Sequence, residues 1–276
     1  MKTFAGRTAV VTGAASGIGF ALAQRCATLG MNVVMADVEE ASLQSAAQAI
    51  GADEKKLLPV RVDVSRAEDV EKLAAKAIAT FGKVHVLCNN AGVTGVGKVW
   101  EMSLDDWQWV LGVNLWGVIH GLRAFLPAML AHGEEGHIVN TASAVALAAR
   151  TSTAYDVAKF GVTGLTEGLA ADLHQTTIGV SLLCPGAVET RILDAERNRP
   201  ETLSNKGFVS SAAVESRAFI ANRKDRYPPA SIADLVVKAM ETNQFYVLPM
   251  QSDFKLPILN RLRDLGAALD RAPEKL

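Results

Sequence analysis

The sequence predicts an α/β fold, a doubly wound parallel sheet with helices packed on both faces, in a single domain. Three observations predict it. Short apolar runs alternate with longer stretches of helical periodicity over the first two-thirds of the chain. The runs are continuously apolar rather than alternating, as befits strands covered on both faces. A glycine-rich turn follows the first run directly. With 276 residues and 49% hydrophobic side chains, the chain has ample apolar surface for a sizeable core.

The elements follow in order. Thr8–Val11 reads as a strand, and residues 17–29 as a helix with Ile18, Ala21, Leu22 and Cys26 on one side, closing at Gly30. Asn32–Ala36 is a second strand ending at Asp37, followed by a helix at about 40–50. The strand Leu58–Val62 runs into Asp63, and a helix at about 66–81 leads to the strand Val84–Cys88. Ser103 and Asp106 form a capping-box pattern opening a long helix to about Leu130. After the strand His137–Asn140, the helix 153–173 carries Gly161, Gly164 and Gly168. Small residues at that spacing admit a close neighbour, either a second copy of the chain or an element of the same one. Val180–Leu183 is a sixth strand, ending at Cys184-Pro185-Gly186. Residues 190–229 are polar and arginine-rich between proline boundaries, and so long a connection marks a functional loop or lid. A helix at 231–242, the strand Phe245–Leu248 and an amphipathic tail at about 251–276 complete the chain. The tail's Ile258, Leu259, Leu262, Leu265 and Leu269 read as core contacts.

Bulk properties exclude several functions. A formal net charge of -1 without a basic run argues against a nucleic-acid partner. No uncharged stretch is long enough to span a bilayer, and the N-terminus shows no signal-peptide core, so no membrane partner and a cytoplasmic location are expected. Cys26, Cys88 and Cys184 are odd in number and far apart, which fits a reducing compartment. His85, His120, His132, His137 and His174 show no metal-ligand spacing and read as structural or surface residues; no metal is expected.

The chemistry concentrates in a few motifs. Thr12-Gly13-Ala14-Ala15-Ser16-Gly17-Ile18-Gly19 lies between strand and helix, where glycines let the backbone approach a pyrophosphate at a helix N-terminus. Asp37, at the end of the second strand, is placed to accept both hydroxyls of an adenosine ribose; a helix N-cap is the alternative. A 2′-phosphate would meet its like charge, and no Lys or Arg stands in the turn or directly after Asp37, so the expected cofactor is NAD rather than NADP. Tyr155 and Lys159, four apart on a helix, put a phenol and an ammonium on one face. That neighbour should lower a phenol pKa that starts near ~10 and yield a general base near neutral pH. Ser143 is placed to donate to a substrate oxygen. Taken singly, Ser143 and Asn114 read equally as caps or turn formers.

Together these motifs resemble the short-chain dehydrogenase/reductase family in its single-domain oxidoreductase branch, over roughly residues 5 to 190. The resemblance implies a Rossmann-like fold in which Gly13, Ser16, Gly17, Ile18 and Gly19 wrap the pyrophosphate and Asp37 the ribose. It implies that Asp63 and Val64 edge the adenine, and that Asn90, in Asn89-Asn90-Ala91-Gly92, lines the cofactor with Ala91 and Gly92. Asn114, Ser143, Tyr155 and Lys159 match the family's catalytic tetrad, with Tyr155 and Lys159 also touching the cofactor and Asn114 holding a proton-relay water. Pro185, Gly186, Val188 and Thr190 match the element that closes over the nicotinamide. The implied activity is NAD(H)-dependent interconversion of a secondary alcohol and a ketone.

One departure stands out. The family often ends in a glycine-rich segment after its last strand, and this chain has polar residues and the amphipathic tail there, which leaves homodimer and homotetramer both open. The substrate site is expected from residues 93–100, 144–150 and the 190–229 loop. Val93, Val96, Val99, Trp100, Val145 and Leu147 suit a bulky, largely apolar substrate, while Arg150 and Arg191 offer an anionic group a partner. Trp107, Trp109 and Trp116 read as core or interface. The segment Val113–Val118 together with Phe245–Pro249 is similar to enzymes that oxidise benzylic alcohols in lignin-derived aryl ethers. Two other functions fit the sequence less well. A sugar-nucleotide epimerase or dehydratase of the longer branch would carry Gly-x-x-Gly-x-x-Gly and a larger C-terminal domain, and neither is present. A non-catalytic NAD(H) sensor usually loses Tyr or Lys of the catalytic pair, and both are here.

Overall fold

The structure is a computed structural model that describes residues 1–95, 97–149, 153–203, 218 and 220–272. Seven strands form one parallel sheet in the order β3-β2-β1-β4-β5-β6-β7. They are β1 (Thr8–Thr12), β2 (Asn32–Asp37), β3 (Leu57–Arg61), β4 (Val86–Asn89), β5 (Gly136–Thr141), β6 (Ile178–Leu183) and β7 (Tyr246–Val247). The helices between them are α1 (Gly17–Thr28), α2 (Glu40–Ile50), α3 (Ala67–Phe81), α4 (Leu104–Leu111), α5 (Gly117–His132), α6 (Thr153–Asp172), α7 (Pro229–Thr242) and α8 (Ser252–Leu269).

Strand periodicity divides the core in two. Val10, Val34, Leu87 and Ile138 face one side and pack on α3, α5 and α6. Their neighbours Val11, Val33, Cys88 and Val139 face the other side and pack on α1, α2 and α7. Each fully buried Leu or Val contributes roughly 1.5–3 kcal/mol of hydrophobic stabilisation, so covering both faces explains why the runs lack polar alternation.

Three details depart from the expected elements. The long helix opens on the expected capping box, Ser103 Oγ accepting from Asp106 N at 3.1 Å, but a π-helical turn, Gly112–Trp116, separates α4 from α5. Leu104–His132 is long and apolar enough by composition to cross a membrane; Val118, Leu122, Phe125 and Met129 are nevertheless buried in the core beneath the sheet. β7 is two residues long, since only Leu182 and Leu183 of β6 pair with it. The tail does form a helix, and Phe254 and Ile258 pack against the core. Its Leu259, Leu262, Leu265 and Leu269 face outward instead, contrary to their reading as core contacts, and Leu256 is exposed beside them.

Candidate active site

The order of the sheet places the site. The chain steps outward from β1 to β2 and β3, then returns to β4 on the other side of β1, so the strand order reverses at β1 and a crevice opens beyond the carboxyl ends of these strands. Thr12 closes its floor: its Oγ1 accepts from the backbone N–H of Asn90 at 2.9 Å and of Ala91 at 3.0 Å. Asn90 Nδ2 donates to Thr12 O at 3.1 Å. The glycine turn fits against this floor. Gly17 has φ +56°, and a Cβ there would lie 2.9 Å from Thr190 Cγ2. A Cβ on Gly19 would lie 2.0 Å from Gly13 O, so α1 starts where only a bare backbone fits.

One end of the crevice is a cleft of about 300 Å³ lined by Gly13, Ser16, Asp37, Asp63, Val64 and Ala91, among others. Asp37 Oδ2 accepts from Ala15 N and Oδ1 from Glu39 N, each at 3.0 Å, so this carboxylate also pins the glycine turn. Burial pushes its pKa up, against the pull of those N–H groups. The residue at the N-cap of α2 is Glu39, so the helix-cap reading of Asp37 fails. Asp63 accepts from Ser65 N at 3.0 Å and from Ser65 Oγ at 2.6 Å. Two arginines from beyond β6 reach this end, which the local sequence around Asp37 did not reveal. Arg197 Nη2 lies 2.6 Å from Glu39 Oε1 and Arg191 Nη1 3.9 Å from Glu39 Oε2. Burial works to raise the Glu39 carboxyl, but hydrogen bonds from Arg197 and Asn198 and the two guanidinium charges hold it below the usual range.

The other end widens into a cavity of about 640 Å³. Ser143, Tyr155 and Lys159 line it, together with Ser16, Gly17, Ile18, Asn90 and Gly92. Pro185, Gly186, Val188 and Thr190 form the facing wall. Tyr155 and Lys159 rise from the first turns of α6, and Ser143 lies just beyond β5 as N-cap of a 3₁₀ turn. Asn114 sits in the π turn, fully buried, with Oδ1 accepting from Val93 N at 2.9 Å and Nδ2 donating to Val93 O at 2.8 Å. It stands behind Gly92, where a Cβ would lie 2.9 Å from Asn114 Oδ1 and 3.7 Å from Lys159 Nζ. The four tetrad positions are thus gathered, though Asn114 does not line the cavity itself.

The electrostatics correct one expectation. Burial pushes the Tyr155 phenol up to about 12, opposed by a hydrogen bond from Ser143 and reinforced by the charges of Asp156 and Cys184. Lys159 does not acidify it here. Its Nζ donates to Thr141 O at 2.8 Å, stands 5.6 Å from the Tyr155 ring centroid, and is brought down to about 8 by burial. Desolvation of both groups outweighs their proximity.

The expected substrate wall is partly redrawn. Val93, Val145 and Arg191 line the cavity. Val99 and Trp100 do not; they are 53% and 77% exposed. Leu147 packs against the core instead. Trp109 is buried, Trp107 packs beside it and Trp116 is exposed. Val96, Arg150 and, within the 190–229 loop, residues 204–217 and 219 lie outside the described residues. Ile192, Leu193 and Ile220 line the cavity from the expected 190–229 loop, whereas sequence reasoning missed Phe254, which also lines it. Phe254, from α8, had only its place in an amphipathic pattern as a signal. No cluster of His, Cys, Asp and Glu able to hold a metal occurs among the described residues.

The crevice fits a dinucleotide. It has a side-chain-free turn at a helix N-terminus, a carboxylate at one end and titratable hydroxyl and amine groups at the other. A family model for short chain dehydrogenases matches residues 7–201. The chain belongs to the short chain dehydrogenase family. A solved short chain dehydrogenase/reductase from Burkholderia phymatum, in complex with NAD, is 41% identical with a TM-score of 0.90, covering 100% of this chain and 99% of that one. The CLA biosynthesis dehydrogenase/reductase of Lactiplantibacillus plantarum is 32% identical over 258 residues, 90% of this chain and 89% of that protein. The C alpha-dehydrogenase of Sphingobium sp. is 32% identical over 252 residues, 90% of this chain and 82% of its own length. As a short chain dehydrogenase, the chain is an oxidoreductase of alcohols and ketones.

Proposed function

We propose that this enzyme uses NAD to interconvert a bulky, largely apolar secondary alcohol and its ketone, with Tyr155 donating and accepting the proton. The observation that carries the reading is the phenol of Tyr155, hydrogen-bonded to Ser143, on the wall of an apolar cavity that joins the glycine turn. NAD supplies the acceptor of hydride on oxidation, and its reduced form the donor on reduction. Ser143 holds the substrate oxygen beside the phenol, and Tyr155 delivers a proton to that oxygen or removes one. Lys159, on the same helix face and anchored to Thr141 O, is placed to hold the nicotinamide ribose, and Asn114 braces Gly92 and Val93 next to it. In the adenosine cleft Asp37, Asp63 and Val64 hold the nucleoside, while Gly13, Ser16, Gly17, Ile18 and Gly19 hold the pyrophosphate. Asn90, Ala91 and Gly92 line the floor, and Pro185, Gly186, Val188 and Thr190 cover the nicotinamide.

NAD rather than NADP follows from Asp37, whose half-buried carboxylate repels a 2′-phosphate. The Burkholderia phymatum relative with NAD supports the same choice. Val93, Val145, Ile192 and Phe254 favour an apolar substrate, aromatic ones included. In this reading the chain is a single domain with residues 190–229 as its lid, working as a homodimer or homotetramer in the cytoplasm. Exposed Trp116 and Val157 and the uncovered Gly164 and Gly168 of α6 offer a face for the second copy, while Gly161 packs on Leu115 of the same chain. A panel of aromatic, steroid and aliphatic secondary alcohols, followed by NADH absorbance with NAD and with NADP, tests the reading. Turnover should favour bulky apolar alcohols with NAD. A kcat/KM ratio favouring NADP, or turnover confined to small polar alcohols, would refute it.

A further inference from the structure

Three hydrogen bonds converge on one carboxamide between β7 and α8. Gln251 is 7% exposed; its Oε1 accepts from Ala187 N at 3.0 Å, and its Nε2 donates to Ala187 O at 2.9 Å and to Asp225 O at 2.8 Å. A carboxamide that pairs with both backbone groups of one residue does what a strand residue would do. Pairing beyond β6 runs on through Cys184 N to Val247 O and Gly186 N to Pro249 O, each at 2.8 Å. The backbone then turns into α8, and the Gln251 side chain carries the pairing to Ala187. Gly186 is shaped to it, since a Cβ there would lie 2.4 Å from Gln251 Oε1.

The same carboxamide ties in the far end of the 190–229 loop. Tyr227 N donates to Ala187 O at 3.0 Å and Glu189 N to Tyr227 O at 2.9 Å. The carbonyl of Ala187 therefore receives both the returning loop and Gln251. One turn further along, Arg223 pairs with Asp253 at 2.8 Å and with Asp225 at 2.7 Å, its guanidinium 5.5 Å from the Phe254 ring. Phe254 and Ile220 line the cavity, so these contacts end at its wall.

We propose that Gln251 is a positioning residue that fixes the Pro185–Val188 wall and the returning loop as one unit, and that Phe254 beside it limits the size of substrate admitted. The inference rests on the reading of the cavity as the alcohol and ketone site. Without the carboxamide, two acceptors and one donor of buried backbone lose a partner, and the wall shifts to recover them. A displacement of about 1 Å at a reacting centre costs up to ~100-fold in rate.

Gln251→Met keeps the side-chain volume and removes all three bonds. Its kcat should be measured per NADH-binding site, from fluorescence titration, at a temperature well below its melting point. We expect a fall of at least ~10-fold, with substrate KM within about threefold of wild type. Phe254→Ala should shift the kcat/KM ratio of a bulky over a small ketone by at least ~10-fold at unchanged NADH affinity. A Gln251→Met enzyme with wild-type kcat per site and only a lower Tm would overturn the positioning role, and an unchanged ratio in Phe254→Ala would overturn the size limit. If Gln251→Met fails to fold, Gly186→Ala takes its place, and undiminished kcat per site there overturns the role equally. Tyr155→Phe run in parallel separates the two readings: its retained turnover would indict the catalytic assignment, not Gln251.

Discussion

A phenol held at about 12 is a proton reserve at neutral pH, so Tyr155 is ready for ketone reduction and must be deprotonated for alcohol oxidation. Oxidation should therefore quicken as pH rises from about 7 toward about 10, as the phenolate fraction grows. Reduction should hold steady over the same range, because the phenol keeps its proton below about 12. Initial rates in both directions across that range check this; oxidation fastest in acid would contradict it. The Tyr155 and Lys159 pair was legible from its spacing, because four residues on a helix fix a shared face. The sign of the phenol shift was not. It depends on burial, and on a lysine spending its hydrogen bond on Thr141, a strand away. Glu39 makes the same point. Its neighbours in sequence are silent about Arg197, which arrives from beyond β6. Glu39→Gln should loosen Arg191 and Arg197 beside Asp37 and lower the NAD-over-NADP ratio of kcat/KM by roughly tenfold, where an unchanged ratio would refute that role.

At the scale of elements, the predicted strands are present, and so are the predicted helices, the long one in two parts, because continuous apolar runs, period-3.6 patterns and glycine boundaries are local properties. The π turn, the brevity of β7 and the outward leucine stripe of α8 depend on what packs against each and leave no local trace. The capping box shows how one local signal serves a distant element. Asp106 caps α4 through Oδ2, while Arg199 Nη2 reaches its Oδ1 at 2.7 Å and the Arg199 guanidinium lies 4.2 Å from the Trp109 ring. Both partners of this ion pair are largely buried, so Arg199→Ala should lower stability by about 1–3 kcal/mol, more than an exposed pair would cost. It should also raise the KM for cofactor by loosening the 3₁₀ segment Ile192–Asn198. Urea melts and initial-rate kinetics test both; a surface-like loss below ~0.5 kcal/mol would show that the anchor is inert.

For the molecule as a whole, two properties follow from its packing. The uncovered α6 face predicts a dimer or tetramer by light scattering, and a monomer mass would remove that prediction. His137 is buried between β4 and β6. Its Nε2–H donates to Ser181 Oγ at 2.8 Å, since that hydroxyl donates onward to Gln244 O, and burial holds it at about 3. Unfolded chains take up this proton below about 6.5, whereas the folded state refuses it until about 3. Its contribution is thus present above 6.5 and lost on acidification through that window, by up to ~1.4 kcal/mol per pH unit. His137→Gln should flatten the acid limb of stability against pH, and an unchanged slope would contradict the assignment.

The central claim is that the Tyr155 hydroxyl moves the proton. Tyr155→Phe removes one oxygen from the cavity wall and leaves the glycine turn, Asp37 and Asn90 in place. NADH titration by fluorescence combined with ketone turnover tests the claim directly. Wild-type NADH affinity with turnover reduced to background is expected, and a variant that binds NADH and still turns over at a comparable rate would contradict this role of Tyr155.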